Sequence, residues 1–219
     1  MKFTELFVQK NYDALILLGD RYETLEVLSS IGFVDCKYAI CTYHPVIMNR
    51  GSVDGQILEL LEAIKAFPDI EFIVTKSNAD QGGARINELL DDVNKKIRNL
   101  HLFTSLGIRR YLSLMKYSEF VLGNSSGGII EAPTFCVPTV NIGERQLGRL
   151  QSASIINCEA DRDSLISAIR VAISEEYKTT CKNVIRSYGS GNAAIQIANK
   201  VIETMKNEKI NLKKKFYNL

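Results

Sequence analysis

The sequence predicts an α/β protein, a Rossmann-like parallel sheet with helices on both faces. Three observations predict it. Short apolar runs recur along the 219 residues, separated by amphipathic stretches about ten to fifteen residues long. The runs are rich in Ile, Leu, Val and Phe and show little polar alternation, as strands buried on both faces do. Strand and helix patterns alternate, which is the order of a parallel sheet crossed by helices.

Taken in order, Ala14–Leu18, Tyr38–Thr42, Phe72–Thr75, Leu100–Phe103, Phe120–Leu122, Thr139–Ile142 and Ile155–Asn157 read as strands. Between and after them, approximately 21–31, 52–66, 82–96, 106–117, 126–135, 161–175 and 191–205 read as helices. Ligands of such folds bind at the carboxyl ends of the strands. The polar residues that follow each run therefore carry the functional reading.

Composition narrows the classes. A 46% apolar and 24% charged chain is ordinary for a globular protein. A net charge of +2 makes no electrostatic case for nucleic acid, and Lys213-Lys214-Lys215 reads as a solvated end. Cys36, Cys41, Cys136, Cys158 and Cys181 have no CxxC pair and no metal-ligand spacing, so the expectation is reduced thiols, a cytoplasmic protein and no metal. Glu5 and Asp13 precede only a five-residue apolar run, so a signal peptide or membrane span is not expected there.

The central stretch is Gly123-Asn124-Ser125-Ser126-Gly127-Gly128-Ile129-Ile130-Glu131-Ala132-Pro133. A strand end, a small polar turn and a helix start aim several backbone amides one way, which suits an anion. Two hydroxyls add to this, and the glycines would let a phosphate approach the backbone. Glu131, six residues after Ser125, lies deeper along the same wall and can accept hydrogen bonds from both hydroxyls of a ribose. The plainer alternative is a turn with an N-cap serine and a surface glutamate.

Other strand ends supply further candidates. Gly19-Asp20-Arg21-Tyr22-Glu23 follows the first run, and Asp20 is either a site carboxylate or a helix cap. His44 follows the second and is held extended by Pro45; it is a phosphate or sugar contact, or merely satisfies a carbonyl. Lys76-Ser77-Asn78-Ala79-Asp80-Gln81-Gly82-Gly83 follows the third, a polar loop that could line a base or a sugar. His101, inside a strand pattern, reads as structural. Arg145 follows Thr139–Ile142 directly and could pair bidentately with a diphosphate, with Arg149 supporting it or solvated. Ser190 or Asn192 reads as the cap of the last helix.

Together these motifs, with Val137-Pro138-Thr139-Val140-Asn141-Ile142-Gly143-Glu144-Arg145-Gln146, closely resemble the UDP-N-acetylglucosamine 2-epimerase family. The likeness is to its hydrolysing branch, which feeds sialic-acid-type sugar pathways, and it runs from Asp13 to about Val201. The resemblance implies a two-domain GT-B-like fold of which this chain holds the C-terminal half and a remnant of the first domain. It implies that Ser125 and Ser126 contact the diphosphate, Glu131 the ribose, and Arg145 and His44 the phosphate region. Asp20 matches a family aspartate implicated in acid/base chemistry, so Asp20 and His44 are the expected catalytic residues. The implied substrate is UDP-GlcNAc or a related nucleotide sugar, eliminated and then hydrated to N-acetylmannosamine and UDP without a cofactor.

The match is incomplete. The family's opening strands with their phosphate loop are missing, and only Gly32-Phe33-Val34-Asp35-Cys36 stands where a long segment with a catalytic glutamate is usual. The expected division is therefore 1–36 as a first-domain remnant, 37–205 as the UDP-binding domain and 206–219 as a basic tail. A short strand and helix cannot bury a two-sided sheet alone, so self-association into a homo-oligomer is a further expectation. A catalytically deficient UDP-sugar binder is the alternative to an active epimerase.

Overall fold

The computed structural model describes residues 36–46, 53–77, 82–94, 96–189 and 191–207. The expected strand Ala14–Leu18, the helix 21–31 and Asp20 lie outside these residues. The strands are β1 (Tyr38–Thr42), β2 (Glu71–Thr75), β3 (Leu100–Phe103), β4 (Val121–Gly123), β5 (Thr139–Ile142) and β6 (Ile155–Cys158). They form one parallel sheet in the order β3-β2-β1-β4-β5-β6. Three strands coincide with the sequence reading, β2 and β6 are one residue longer at one end, and β4 is shifted by one residue toward the C-terminus.

The strand order reverses between β1 and β4. The chain first builds outward through β2 and β3, then returns to pair β4 against the other side of β1. At such a switch point the connections leave in opposite directions, opening a crevice beyond the carboxyl ends of the two strands.

The described helices are α1 (Val53–Lys65), α2 (Gly83–Asn94), α3 (Gly107–Tyr117), α4 (Ser126–Ile130), α5 (Arg162–Ala172), α6 (Glu175–Lys182) and α7 (Ala193–Asn207). Pleating divides the sheet's side chains between two cores. Ala39, Cys41, Phe72, Val74 and Leu122 face one side and pack with Ile57, Leu60, Leu61 and Ile64 of α1 and Leu165 and Ile169 of α5. Tyr38, Ile40, Ile73 and Val121 face the other and pack with Leu114 and Met115 of α3. The 57, 60, 61, 64 spacing puts four apolar residues on one stripe of α1. Each is at most 2% exposed, and burying each contributes about 1.5–3 kcal/mol.

Two elements differ from expectation. The helix read over 126–135 is two pieces, α4 and a 3-10 turn over Ala132–Phe135. Pro133 has no N–H to continue the ladder, and Cys136 ends the turn in the left-handed region at φ 59°. Helix α6 was not anticipated. Its signal is Ser174, whose hydroxyl caps Tyr177 N–H, followed by Glu175 and Glu176 in the first turn.

By its contacts the chain divides into two units, Met1–Ile185 with the sheet and Arg186–Leu219 with α7. Among the described residues, no helix is long and apolar enough to cross a membrane.

Candidate functional site

At the switch point β4 runs unusually close to β1. Gly123 sits at φ +128°, and a Cβ there would lie 2.0 Å from the Thr42 carbonyl oxygen. Only glycine permits that approach. It lets Asn124 N–H donate to the same carbonyl at 3.2 Å, so the chain turns off β4 against the end of β1.

Asn124, fully buried, ties the site together. Its Oδ1 accepts from His44 N–H at 2.7 Å, and its Nδ2 donates to the His44 carbonyl at 2.8 Å. Its own carbonyl accepts from Arg145 Nη1 at 3.1 Å and Gln146 Nε2 at 2.7 Å. One residue thus joins the ends of β1, β4 and β5. Sequence reading quoted Asn124 without giving it a role. Its signal is an amide one residue beyond a buried strand, where two neighbouring turns need both a donor and an acceptor.

The β2 end is held the same way. Asn87 on α2 accepts from Ser77 N–H at 2.8 Å and donates to the Ser77 carbonyl at 3.2 Å. Ser77 Oγ then meets His44 Nδ1 at 3.2 Å. Thr42 and Thr75 share a hydroxyl hydrogen bond of 2.6 Å between β1 and β2. His44, only 6% exposed, is fixed through its backbone and its ring. His101 instead pairs with Glu71 on the neighbouring strand at 2.7 Å, a structural contact.

Ser125 and Glu131 depart from the plainer reading of their motif. Ser125 occupies the N-cap position of α4, extended at φ −77° and ψ 147°, but its hydroxyl makes no capping bond. The side chains of Asp161 and Ser174 do cap their helices, so Ser125 is different. Glu131 is only partly exposed, and its Oε2 is buried without a hydrogen-bond partner among the described residues. The glycines serve packing rather than an open backbone. A Cβ on Gly127 would stand 2.9 Å from the Tyr111 hydroxyl, and one on Gly128 would stand 2.7 Å from Thr139 Cγ2. With only five residues in α4, its dipole is weak, so hydroxyls and a guanidinium must supply most of the attraction for an anion.

These elements line a cleft of about 580 Å³, within the usual size of a small-molecule site. His44, Ser125, Ser126 and Arg145 converge on it. Lys76, from a loop the sequence offers as a lining, completes its wall with Tyr111 and the loop from Thr104 to Gly107, to which the sequence assigns no site role. Glu131 stands one layer behind, its Oε2 3.4 Å from the position a Gly127 Cβ would take. Asp20 lies outside the described residues. No acidic side chain is among the described residues that line the cleft, whereas Lys76 and Arg145 bring two cations. Lys76 is paired with Asp91 at 2.7 Å, and Arg145 donates through Nη1 to the Asn124 carbonyl. Arg149 lines a different hollow, with Glu144 and Glu159. Among the described residues no three His, Cys, Asp or Glu side chains group to hold a metal.

A cationic, hydroxyl-rich cleft at a switch point suits an anionic ligand. A family model described as UDP-N-acetylglucosamine 2-epimerase matches residues 26–202. The chain is 39% identical over 146 residues to the GDP/UDP-N,N'-diacetylbacillosamine 2-epimerase (hydrolyzing) of Campylobacter jejuni, covering 66% of this chain and 38% of that protein. It is 33% identical over 184 residues to the polysialic acid biosynthesis protein P7 of Escherichia coli, covering 84% and 46%. The chain thus spans less than half the length of these relatives. Among solved structures, the UDP-GlcNAc 2-epimerase of Neisseria meningitidis bound to UDP-GlcNAc superposes with a TM-score of 0.62 at 18% identity, over 85% of this chain and 49% of that one. A Listeria monocytogenes protein described as a UDP-N-acetylglucosamine 2-epimerase gives 0.66 at 18% identity, over 94% and 56%. At these identities the structures speak to the fold alone, a parallel sheet with helices on both faces.

Proposed function

The chain belongs to the UDP-N-acetylglucosamine 2-epimerase family, and from that premise we propose that it binds a UDP-linked 2-acetamido sugar at the switch-point cleft and takes part in its hydrolysing 2-epimerisation. The observation that carries this reading is the convergence of Ser125, Ser126, His44 and Arg145 on one cleft whose described lining is free of acid. In the proposed pose the diphosphate meets the two hydroxyls and the guanidinium, and the ribose lies toward Glu131. Arg145 is oriented by its bond to Asn124, so its remaining donors need little ordering when the anion arrives.

The reaction has two halves. A base removes the proton from C2 while the C1–oxygen bond to UDP breaks, leaving a 2-acetamidoglucal and free UDP. Water then adds across the double bond, oxygen to C1 and a proton to the opposite face of C2, giving N-acetylmannosamine from UDP-GlcNAc. The cleft's share is leaving-group stabilisation, because charge builds on the departing diphosphate. By resemblance Asp20 is the acid/base candidate, with His44 beside the phosphate. A second substrate, UDP-N,N'-diacetylbacillosamine, is favoured by the Campylobacter relative and by one of that activity from Legionella pneumophila, 29% identical over 141 residues.

Incubating the purified chain with each nucleotide sugar and measuring free UDP and the released 2-epimeric sugar tests the proposal. Release of both is expected. UDP binding with no turnover of either substrate would sink the catalytic half and leave a nucleotide-sugar binder; no UDP binding by calorimetry would sink both.

A further inference from the structure

Five buried side-chain atoms lack a hydrogen-bond partner among the described residues, and two of them flank one glycine. They are the Tyr111 hydroxyl and Glu131 Oε2, respectively 2.9 and 3.4 Å from where a Gly127 Cβ would stand. Buried polar atoms are rarely left alone, because each forfeits its water without replacement. The Thr42 hydroxyl stands close enough to interact with the Tyr111 phenol and keeps bonding capacity beside its 2.6 Å hydrogen bond to Thr75, but the two are not in hydrogen-bond geometry. The tyrosine ring itself lines the cleft beside Ser125 and Ser126. One orphan is a phenol, able to donate and accept; the other is a carboxylate oxygen, which only accepts.

We propose that Tyr111 is a second reader of the ligand's vicinal diol, donating its phenol proton to one ribose hydroxyl while Glu131 accepts from the other. This inference rests on the nucleotide reading above and extends it to a named specificity residue. A vicinal diol is the group that satisfies a donor and an acceptor side by side. Gly127 is then required, because any side chain would displace the phenol from the turn. Burial pushes the Tyr111 hydroxyl up to about 12, so it keeps its proton across the working range and remains a donor. The consequence is discrimination between ribonucleotides and their deoxy counterparts, since a missing hydroxyl strands one of the two groups.

Calorimetry with UDP, 2'-deoxy-UDP and 3'-deoxy-UDP on the wild-type chain and Tyr111→Phe tests this, with thermal melting of both. The wild type is expected to prefer UDP over each deoxy-analogue. Tyr111→Phe should bind UDP about tenfold more weakly, lose most of the preference against one analogue, and melt no lower than the wild type. Unchanged UDP affinity in the variant overturns the inference alone. So does equal weakening of all three ligands with a lowered melting temperature, which would mark Tyr111 as a packing residue. Failure of the wild type to bind UDP removes the nucleotide reading and this inference together.

Discussion

Asn124→Ala separates the scaffold of the site from its ligand-facing groups. The substitution removes two hydrogen bonds, of 2.7 and 2.8 Å, to the backbone N–H and carbonyl of His44. Both residues are buried, Asn124 fully and His44 to 6% exposure. Each orphaned group costs about 1–3 kcal/mol; adjacency to the open cleft allows some rehydration, so the total is about 3 kcal/mol. The bonds from Arg145 and Gln146 go to the Asn124 carbonyl and survive, so the loss isolates the tether on His44. For a chain of this size that corresponds to a fall of about 6–12 °C in melting temperature. Urea unfolding followed by circular dichroism should show a lower midpoint at unchanged slope. Asn124→Asp should not rescue, because it keeps the acceptor for His44 N–H but sets a carboxylate against the His44 carbonyl. A midpoint change worth less than about 0.5 kcal/mol, the scatter of ordinary surface substitutions, would refute the reasoning.

Three further outcomes are expected. Gly123→Ala should not yield folded protein, since its Cβ would sit 2.0 Å from the Thr42 carbonyl; recovery of a wild-type circular dichroism spectrum would contradict this. Glu131→Ala should weaken UDP by about 1–3 kcal/mol, read by calorimetry. Asp161→Ala should cost about 1 kcal/mol by uncapping α5, where the Asp161 side chain accepts from Ser164 N–H at 2.9 Å. The hydrogen bonds to Ser164 hold the Asp161 carboxyl below its ordinary value. That contribution is therefore present above the ordinary aspartate value of about 3.9 and lost as pH falls through the lower folded value. Wild type and variant should differ evenly near neutrality and converge only in acid.

The sheet was legible because its signal is local. Tyr38–Thr42 or Thr139–Ile142 is an apolar run that can only be buried on both faces, and its length says strand. The break at Pro133 was written in the sequence but outweighed by the apolar pattern around it. Helix α6 was overlooked because its mean character is polar; only Ser174, Glu175 and Glu176 announce it. Of the site, His44, Ser125, Ser126 and Arg145 were readable as polar residues just past strand ends, and the cleft unites them. Tyr111 was not, because nothing in Arg110-Tyr111-Leu112 says that its hydroxyl ends against Gly127. Asn124 was not either, because its bonds reach 80 residues back to His44, a separation no spacing rule spans.

Two kinds of polar group line or back the cleft, and they should answer differently to mutation. His44, Ser77, Arg145 and the carbonyl of Asn124 are tied across β1, β2, β4 and β5 by hydrogen bonds between elements. They set the shape before any ligand arrives, which lowers the ordering cost of binding. Tyr111 and Glu131 have buried polar atoms with no hydrogen-bond partner among the described residues, so each is desolvated without compensation. Loosening a tied group should therefore lower stability and affinity together, as in Asn124→Ala. Removing an orphan should lower affinity alone, and the ligand-free protein should be unchanged or more stable, because a buried unpaired group has gone. Melting temperatures of ligand-free Tyr111→Phe and Glu131→Ala at or above the wild-type value, beside a lowered one for Asn124→Ala, are the expected pattern. If all three fall together, the distinction between scaffold and reader does not hold in this cleft.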